Sequence, residues 1–538
     1  MAGDARAPRR ALLAAVAVAA ASAVPFLSSA GSGFLAWDDA DTLVRNRFVR
    51  GVTAENVAWM FTTFHKGPYQ PLSWLSFAIE HEIHGLDPGL VHLANVLLHA
   101  ANAALVFFLA LAVARARGGP RASLLFPAAA ALLFGLHPLR VESVAWATER
   151  RDVLSTFFFL GSVLLYLRHD RDRSRRALVL SVAAFVLSLL AKAWGVTLPV
   201  VLVLADALLL SRWGGERGGR LLLEKIPFAV PAALIAAAAI AGQQSAGTMS
   251  GLAEHGVFDR AAQCGYSLAF YASRTAFPFR LTPLRELPAG GTAGDPLVLA
   301  GAFAALAAAA VVLVLRRRAP LTLLALASFA ILVSPVSGLA QAGTQLVADR
   351  YSYGPGIPLA LLAGAALDRL AGRTSFRAVA PAVALALVLL AALSERTTRL
   401  WQSDLRLFER AVAVDPEGGV SRFNRGMAKR SAGDDAGAEA DFGEAIRLLP
   451  RFPSARLNRG NVRLARGDFE GAAEDYTAVI ESGAGSTARA LWYRGKARSS
   501  LGDLSGALED IEAALVLEPG DPAIEEDLAL LKDALRDE

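Results

Sequence analysis

Cysteine and charge are both scarce in this chain. Cys264 is the only cysteine among 538 residues, which excludes an intramolecular disulfide and a cysteine-based zinc site. Charged residues make up 19% of the chain, and the net charge is only +5. In contrast, 54% of the residues are hydrophobic, against roughly 45–50% in ordinary soluble domains, and the mean hydropathy is +0.41. We therefore expect a membrane protein, in which basic residues usually lie in cytoplasmic loops and imply no nucleic-acid partner.

Long apolar runs are missing after residue 394. The sequence therefore predicts a transmembrane domain over 1–394 and a separate tail over 395–538. A spanning helix needs about 20 mostly apolar residues. By that criterion we predict eleven spans, near 10–30, 92–113, 122–137, 152–168, 176–193, 196–211, 226–243, 295–315, 321–338, 354–371 and 377–394. The first has the basic start of a signal peptide, but a retained anchor is favoured because ten spans follow it.

The distribution of lysine and arginine predicts the orientation. Three arginines precede the first span, which places the N-terminus in the cytoplasm. When the spans alternate from there, every predicted cytoplasmic loop is basic. The basic groups are Arg115, Arg117 and Arg121, the loops 168–176, 212–225 and 316–318, and Arg369, Arg373 and Arg377.

The remaining loops then lie outside the membrane. They include the long loop 31–91, the loop 137–152 and the tail. The amphipathic segment 262–279 carries Arg274, and we expect it to lie at the outer interface or re-enter the membrane rather than to span it.

The tail contains an internal repeat. Gly426, Gly460 and Gly495 follow one another at spacings of 34 and 35 residues, and Gly-Asp pairs recur at the same period. This period is typical of tetratricopeptide (TPR) repeats, which stack helical hairpins into a solenoid. We predict three repeats over 421–538, preceded by a linker or partial repeat over 395–420. A polypeptide bound by the array is one expectation, and simple packing of the repeats on the membrane domain is the alternative.

Acidic and basic residues collect on the predicted outer side. "WDDAD" supplies Asp38, Asp39 and Asp41, of which Asp41 needs only a solvated role. Other charged residues stand at helix ends on the same side: Glu142, Glu149, Arg150, Arg151, Asp152, Lys192, Asp349 and Arg350. Charges near membrane depth usually pair with each other or face a cavity. They either hold helix ends in place or form a reactive site.

Histidines are concentrated in the same outer region. His81, His84 and His92 suggest a zinc site, but "HEIH" is not the HExxH motif. Hydrogen-bonding or sugar-contacting roles are favoured, with His65, Tyr69 and His92 as auxiliary outer-loop residues. No metal ligand is assigned, and dependence on a divalent metal is left open.

These residue types suit one chemistry. A carboxylate can act as a general base, and Lys or Arg can stabilise a phosphate leaving group as its charge develops. A wide apolar helix bundle can hold a polyprenyl chain. Together they point to glycosyl transfer from a lipid-phosphate sugar to an acceptor outside the membrane.

Several blocks also resemble a known family. They are "WDDADTLVRN", "YQPLSWLSFAIEHEIHGLDPGLVHLANVLLHAANA", "LLFGLHPLRVESVAWATERRDVLSTFFFLGSVLLYL", "LLAKAWGVTLPVVLVLAD", "ADRYSYGPGI" and "LWQSDLRLFERAVAVDP", followed by the repeats. In this order they resemble the transmembrane and tetratricopeptide-repeat containing O-mannosyltransferase family and its bacterial homologues. The resemblance implies an all-α, GT-C-type membrane glycosyltransferase that uses a polyprenyl-phosphate sugar.

The resemblance also implies site residues. Asp38 and Asp39 match the paired acids of the family, and one of them would be the base or acceptor-orienting group. The second-loop block matches at His137, Glu142, Arg150 and Asp152. The basic positions expected near the donor phosphate are Arg150, Lys192 and Arg350.

We therefore predict an inverting, multi-pass glycosyltransferase of a bacterial plasma membrane. It would move mannose or another hexose to Ser or Thr hydroxyls of a protein, or to an envelope glycan, with the TPR domain outside the membrane. One alternative is a non-catalytic membrane scaffold whose TPR array recruits envelope proteins. Another is a transporter of lipid-linked sugar, for which Asp206 is the one polar candidate within the spans.

Overall fold

The computed structural model describes residues 6–116, 123–213, 217–249, 251, 255–288, 291–315, 318–341, 343–483 and 486–537. The chain forms two compact units, Met1–Ser403 and Asp404–Glu538, whose boundary falls within the predicted linker. Both units are built from helices, so the predicted all-α class is confirmed. Of the basic residues used to orient the spans, Arg117, Arg121, Arg316 and Arg317 lie outside the described residues.

The first unit contains sixteen α-helices in its described part. They are α1 (Arg6–Ala23), α2 (Ala54–Thr62), α3 (Pro71–His84), α4 (Pro88–Ala116), α5 (Leu125–Gly135), α6 (Val141–Ala145), α7 (Arg150–Asp172), α8 (Arg175–Ala191), α9 (Leu198–Leu208), α10 (Arg217–Leu223), α11 (Ile226–Ser245), α12 (Val257–Ala276), α13 (Pro296–Leu315), α14 (Pro320–Val333), α15 (Gly356–Arg373) and α16 (Phe376–Thr398). Two short antiparallel strands, β1 (Arg285–Glu286) and β2 (Gln345–Val347), pair beside them.

Each predicted span lies on a helix, but the helices differ in length and apolarity. Five are long and apolar enough to cross a membrane: Pro8–Gly31, Pro88–Ala116, Ile226–Ser245, Pro296–Val314 and Arg377–Gln402. Three shorter apolar helices are Leu125–Gly135, Ala193–Leu208 and Pro320–Val336. The other three predicted spans lie on α7, α8 and α15, and α12 covers the segment predicted at the interface. Five such helices fit a membrane protein.

Polar side chains join helices inside the first unit. Ser155 on α7 donates to the Ser188 carbonyl on α8 at 2.8 Å, and Ser188 donates back to the Ser155 carbonyl at 2.8 Å. Two turns further along, the hydroxyls of Ser162 and Ser181 lie 3.2 Å apart. Small hydroxyl residues let apolar helices approach closely and still satisfy their polar atoms. The α7–α8 pair is therefore fixed in register along its length.

A separate charged cluster surrounds Tyr166, near the end of α7. The Tyr166 hydroxyl donates to Asp206 at 2.8 Å. Asp206 is fully buried and also pairs with Lys225 at 2.7 Å and Arg212 at 3.1 Å. Glu224 accepts from Arg212 at 2.9 Å. The residue considered for transport thus belongs to a mutually paired cluster.

The second unit consists of eight helices in its described part. They are α17 (Asp404–Val414), α18 (Gly419–Ser431), α19 (Asp435–Leu448), α20 (Pro453–Ala465), α21 (Phe469–Glu481), α22 (Thr487–Ser500), α23 (Leu504–Leu517) and α24 (Pro522–Asp537). Successive helices pack against each other as hairpins. A Cβ added at Gly426, Gly460 or Gly495 would lie 2.7 Å from a side chain of the second helix of its hairpin, which explains the repeated glycine.

The Gly-Asp pairs form the turns between the paired helices. Gly433, Gly467 and Gly502 have φ angles of +83°, +82° and +85°, which favour glycine. The aspartate that follows each one caps the next helix by accepting a backbone N–H three residues later, at 2.9 to 3.0 Å.

A buried carboxylate ties the two helices of each hairpin. Asp475 accepts from Arg459 at 2.6 and 2.8 Å and from Arg463 at 3.1 Å, and Arg456 lies 4.0 Å away. Equivalent pairs join Arg425 to Asp441 and Arg494 to Asp510. Each of these aspartates is almost fully buried, so the repeated ion pair lies on the inner face of its hairpin.

We expect Asp475→Ala to destabilise the second unit by about 3 kcal/mol, because it leaves two arginines without their buried partner. Urea unfolding of a 404–538 fragment, followed by far-ultraviolet circular dichroism, measures the change. Glu444→Ala is the matched control, since it removes an exposed partner of Arg447 and should have little effect. Equal midpoints for the two variants would contradict the expectation.

Candidate active site

Asp39 is a buried anchor for the first predicted outer loop. It is fully buried, and its carboxylate accepts from the backbone N–H groups of Leu35 and Thr148, both at 3.0 Å. The Thr148 hydroxyl donates to the same carboxylate at 2.8 Å. Burial raises the pKa of Asp39 to about 6, although these hydrogen bonds favour its charged form. Asp39 therefore joins the first loop to the segment that precedes α7.

Asp38 differs sharply from its neighbour. It is exposed, and among the described residues it makes no hydrogen bond and no ion pair within 4 Å. The protein that crowds its carboxyl group raises its pKa, while Arg151 and Arg350 oppose that shift. The next loop acid, Asp41, pairs with Lys66 and with Arg45 at 3.0 Å. Of Asp38, Asp39 and Asp41, Asp38 is thus the one available to a substrate.

Stacked aromatic rings hold the Asp38 segment in place. The ring of Trp37 stacks on Trp146, with centroids 4.6 Å apart and an interplanar angle of 15°. Trp401 lies 5.4 Å from Trp146 on the same cluster. Trp146 precedes Thr148, the partner of Asp39. Both sides of Asp38 are therefore fixed, by ring stacking and by hydrogen bonds.

Glu149 is the centre of a network of charges beneath Asp38. It is fully buried and pairs with Arg151, with Lys192 at 2.8 Å and with Arg350 at 3.5 Å. Burial alone would raise the pKa of Glu149, but Arg151, Lys192 and Arg350 hold it well below its usual range. One carboxylate thus gathers cations from α7, from the end of α8 and from the segment before α15.

Two further carboxylates complete the network. Asp152 accepts from Lys192 at 2.7 Å and from the Ser143 hydroxyl at 2.9 Å. Glu142 accepts from the backbone N–H of Arg350 at 2.8 Å and also from its guanidinium group. The Arg350 guanidinium lies over the rings of Trp146 and Tyr351, 5.6 and 4.9 Å from their centroids. Three buried acids and three cations therefore meet in this network.

Not every predicted site residue joins this network. The guanidinium of Arg150 is engaged by Glu80 at 2.7 Å, by the Val91 carbonyl at 2.8 Å and by Asn95, so it ties α7 to α3 and α4. His137 accepts from Leu139 N–H at 3.2 Å.

The other ring nitrogen of His137 contacts the Thr275 carbonyl at 3.0 Å. This contact holds the end of α12 beside the second loop.

The auxiliary residues lie within the first loop and the start of α4. His65 contacts the rings of Trp59 and Trp74, and Tyr69 donates to the Phe61 carbonyl at 3.1 Å. His92 lies 3.3 Å from the Gly33 carbonyl. In the described part of the chain, no three His, Cys, Asp or Glu side chains could together hold a metal ion.

The centre of the network is not among the site residues predicted from the sequence. Glu149 and Arg151 are neighbours of the predicted site residue Arg150 in the chain. Adjacent residues on a helix point about 100° apart, so only one of the two arginines can face the site. That choice depends on where α7 begins, and no motif in the sequence states it.

An apolar groove begins near the network. It lies between α7, α9, α14 and α15, and runs along α15 from Gly354 to Arg369, roughly 22 Å at the rise of a helix. Its walls are apolar, with side chains such as Phe159, Leu202 and Leu332. Gly354 follows Arg350 closely in the chain, so one end of the groove adjoins the charged residues.

We expect Asp39→Ala and Asp38→Ala to separate anchoring from reactivity. Loss of the Asp39 carboxylate breaks three hydrogen bonds to buried partners and should cost about 2–4 kcal/mol. Loss of the unpaired Asp38 carboxylate should leave stability unchanged. Thermal unfolding of the full chain in detergent measures both, and a larger shift for Asp38→Ala would refute the distinction.

Comparison with known proteins finds curated relatives that match part of the chain. Protein O-mannosyl-transferase Tmtc1 of Drosophila melanogaster is 31% identical over 193 residues, covering 34% of this chain and 22% of that protein. Protein O-mannosyl-transferase TMTC2 of Mus musculus is 38% identical over 125 residues, covering 23% and 14%. For TMTC4 of Homo sapiens the values are 30% over 208 residues, covering 34% and 27%.

Solved structures and family models add little. A MamA fragment from Desulfovibrio magneticus covers 25% of this chain and 75% of its own, at 22% identity and a TM-score of 0.24. The second TPR domain of human RPAP3, solved with an HSP70 peptide, covers 21% and 98%, at 28% identity and a TM-score of 0.20. Likenesses at such scores carry no weight for function, and no family model matches the chain. The chain spans only 14–27% of the length of the curated relatives given above, and these partial similarities support a relationship to protein O-mannosyl-transferases.

Proposed function

We propose that this chain is a membrane glycosyltransferase that moves mannose or another hexose from a polyprenyl-phosphate donor to Ser or Thr hydroxyls of a protein. The observation that carries the proposal is the unpaired carboxylate of Asp38, held above a buried charged network at one end of an apolar groove. The names of the curated relatives support a protein acceptor.

In the proposed reaction Asp38 is the general base. It accepts the proton of the acceptor hydroxyl while that oxygen attacks the anomeric carbon of the sugar. The bond from that carbon to the phosphate oxygen breaks on the opposite face, so the configuration inverts. Asp39 is a positioning residue that holds the Asp38 segment against Thr148.

The charged network keeps Asp38 reactive. Arg151 and Arg350 favour the ionised form of Asp38, in which it can accept a proton. Both arginines are fixed by Glu149, so this field requires no rearrangement during the reaction. The apolar groove suits the polyprenyl chain because its walls offer almost no polar contact.

We further propose that the site faces the outside of a bacterial plasma membrane and that the TPR unit presents the acceptor polypeptide. The basic loops of the predicted cytoplasmic side support this orientation. Stacked helical hairpins form the concave surfaces that repeat proteins use for binding, which supports the second role.

Transfer of labelled hexose from a polyprenyl-phosphate donor to proteins in a membrane preparation tests the function. We expect Asp38→Asn to reduce transfer by about 100-fold or more, because the amide cannot accept the proton. Asp41→Asn is the matched control, since Asp41 is already paired with Lys66 and Arg45 and is assigned no part in the reaction. If wild-type protein transfers no sugar, the chain is better explained as a scaffold.

The rate of transfer should also depend on pH. The pKa of Asp38 lies above its ordinary value of 3.8, and the protonated carboxyl cannot act as a base. We therefore expect kcat/KM to fall as the pH drops through a midpoint above 3.8. A rate that stays constant down to pH 4 would argue against Asp38 as the base.

A further inference from the structure

The proposed donor brings a phosphate group, and the cations of the charged network already contact carboxyl groups of the protein. Lys192 is shared between Glu149 and Asp152, and Arg350 between Glu142 and Glu149. A cation already paired with buried carboxylates gains little from a further anion. A phosphate therefore needs another cationic site.

Two arginines beside the network lack such partners. Arg274, near the end of α12, and Arg285, in β1, both lie over the ring of Phe270, with Cζ atoms 5.3 and 5.6 Å from its centroid. Within the described residues neither forms an ion pair. Three of their nitrogens are buried without a hydrogen-bond partner: Nε of Arg274, and Nε and Nη2 of Arg285. Such donors cost free energy until they bind an acceptor.

The surroundings do not neutralise these two charges. Burial lowers the pKa of Arg274, and repulsion from the Arg285 cation lowers it further. Asp349 acts on both arginines, and its carboxyl group accepts from the backbone N–H of Thr282 at 3.2 Å. Burial and the nearby Glu142 raise the pKa of Asp349 to about 8, which weakens it as a counter-charge for the two arginines.

The site also lies at an apolar surface. Phe277 and Phe279, on the segment between α12 and β1, are 65% and 60% exposed. Phenylalanine is one of the residues that interfacial segments bury at the boundary between lipid headgroups and acyl chains. α12 packs against α13, one of the five helices apolar enough to cross a membrane. Two unpaired arginines beside exposed phenylalanines match a phosphate group attached to a lipid better than a free phosphate ion.

We propose that Arg274 and Arg285 bind the phosphate group of the lipid-linked donor. This inference rests on the proposed function and adds to it the site of the leaving group. As the sugar leaves, the phosphodiester monoanion becomes a phosphomonoester with a second negative charge. The two guanidinium groups then gain in attraction as that charge develops.

Binding of unglycosylated polyprenyl phosphate to the full chain in a zwitterionic detergent tests the site without any transfer step. We expect Arg274→Gln/Arg285→Gln to weaken this binding by about 10- to 100-fold, through the loss of charge-assisted hydrogen bonds. Binding of polyprenol, which lacks the phosphate, should not change. Arg45→Gln/Arg47→Gln is the charge-matched control, because it removes two exposed arginines of the loop 31–91.

The outcomes separate this site from the proposed function. Unchanged binding of polyprenyl phosphate by the double variant overturns the site, even if wild-type protein transfers sugar. Equal competition by phosphatidylglycerol or by inorganic phosphate also overturns it, since the site would then accept any anion. Weakened binding in a protein that transfers no sugar supports the phosphate site and removes the proposed function.

Discussion

Glu149 carries its charge where solvent cannot reach it, and the geometry of the first unit follows from how that charge is satisfied. Its partners come from α7, from the end of α8 and from the segment before α15. A buried carboxylate without these cations would be far less stable, and so would each cation without the carboxylate. The three segments must therefore meet together, and they define the floor on which the Asp38 loop rests.

Residues at this floor have different roles, according to whether their charges are paired. The paired cations fix geometry and electric field, while Asp38 stays unpaired above them. Among the described residues, Arg274 and Arg285 are cations without an ion-pair partner. In the proposed reaction the proton acceptor and the cations for the leaving group would therefore occupy separate places, as an in-line displacement requires. A single patch that held both would neutralise itself.

Regular features were predictable from the sequence, and irregular ones were not. The helices, the repeat glycines and the Gly-Asp turns follow from local periods, and the structure has them where the pattern predicts. Asp38 and Asp39 are adjacent and chemically alike, and what separates them is Thr148, more than a hundred residues away. Whether Arg285 has an ion-pair partner likewise depends on which side chains the fold brings close to it. Such differences arise from tertiary packing, which a single sequence does not display.

The fixed register of α7 has a mechanical consequence. Its first turn is held by Lys192, its later turns by the serine pairs with α8, and its far part by the Tyr166 cluster, roughly 24 Å from Arg150 at the rise of a helix. A shift of α7 along its axis would break directional contacts at all of these levels at once. The opposite wall of the groove, on α14 and α15, is lined mainly by apolar side chains whose packing has no such directionality. If the groove takes up the lipid chain of the proposed donor, we expect the wall formed by α14 and α15 to move while α7 and α8 stay in place.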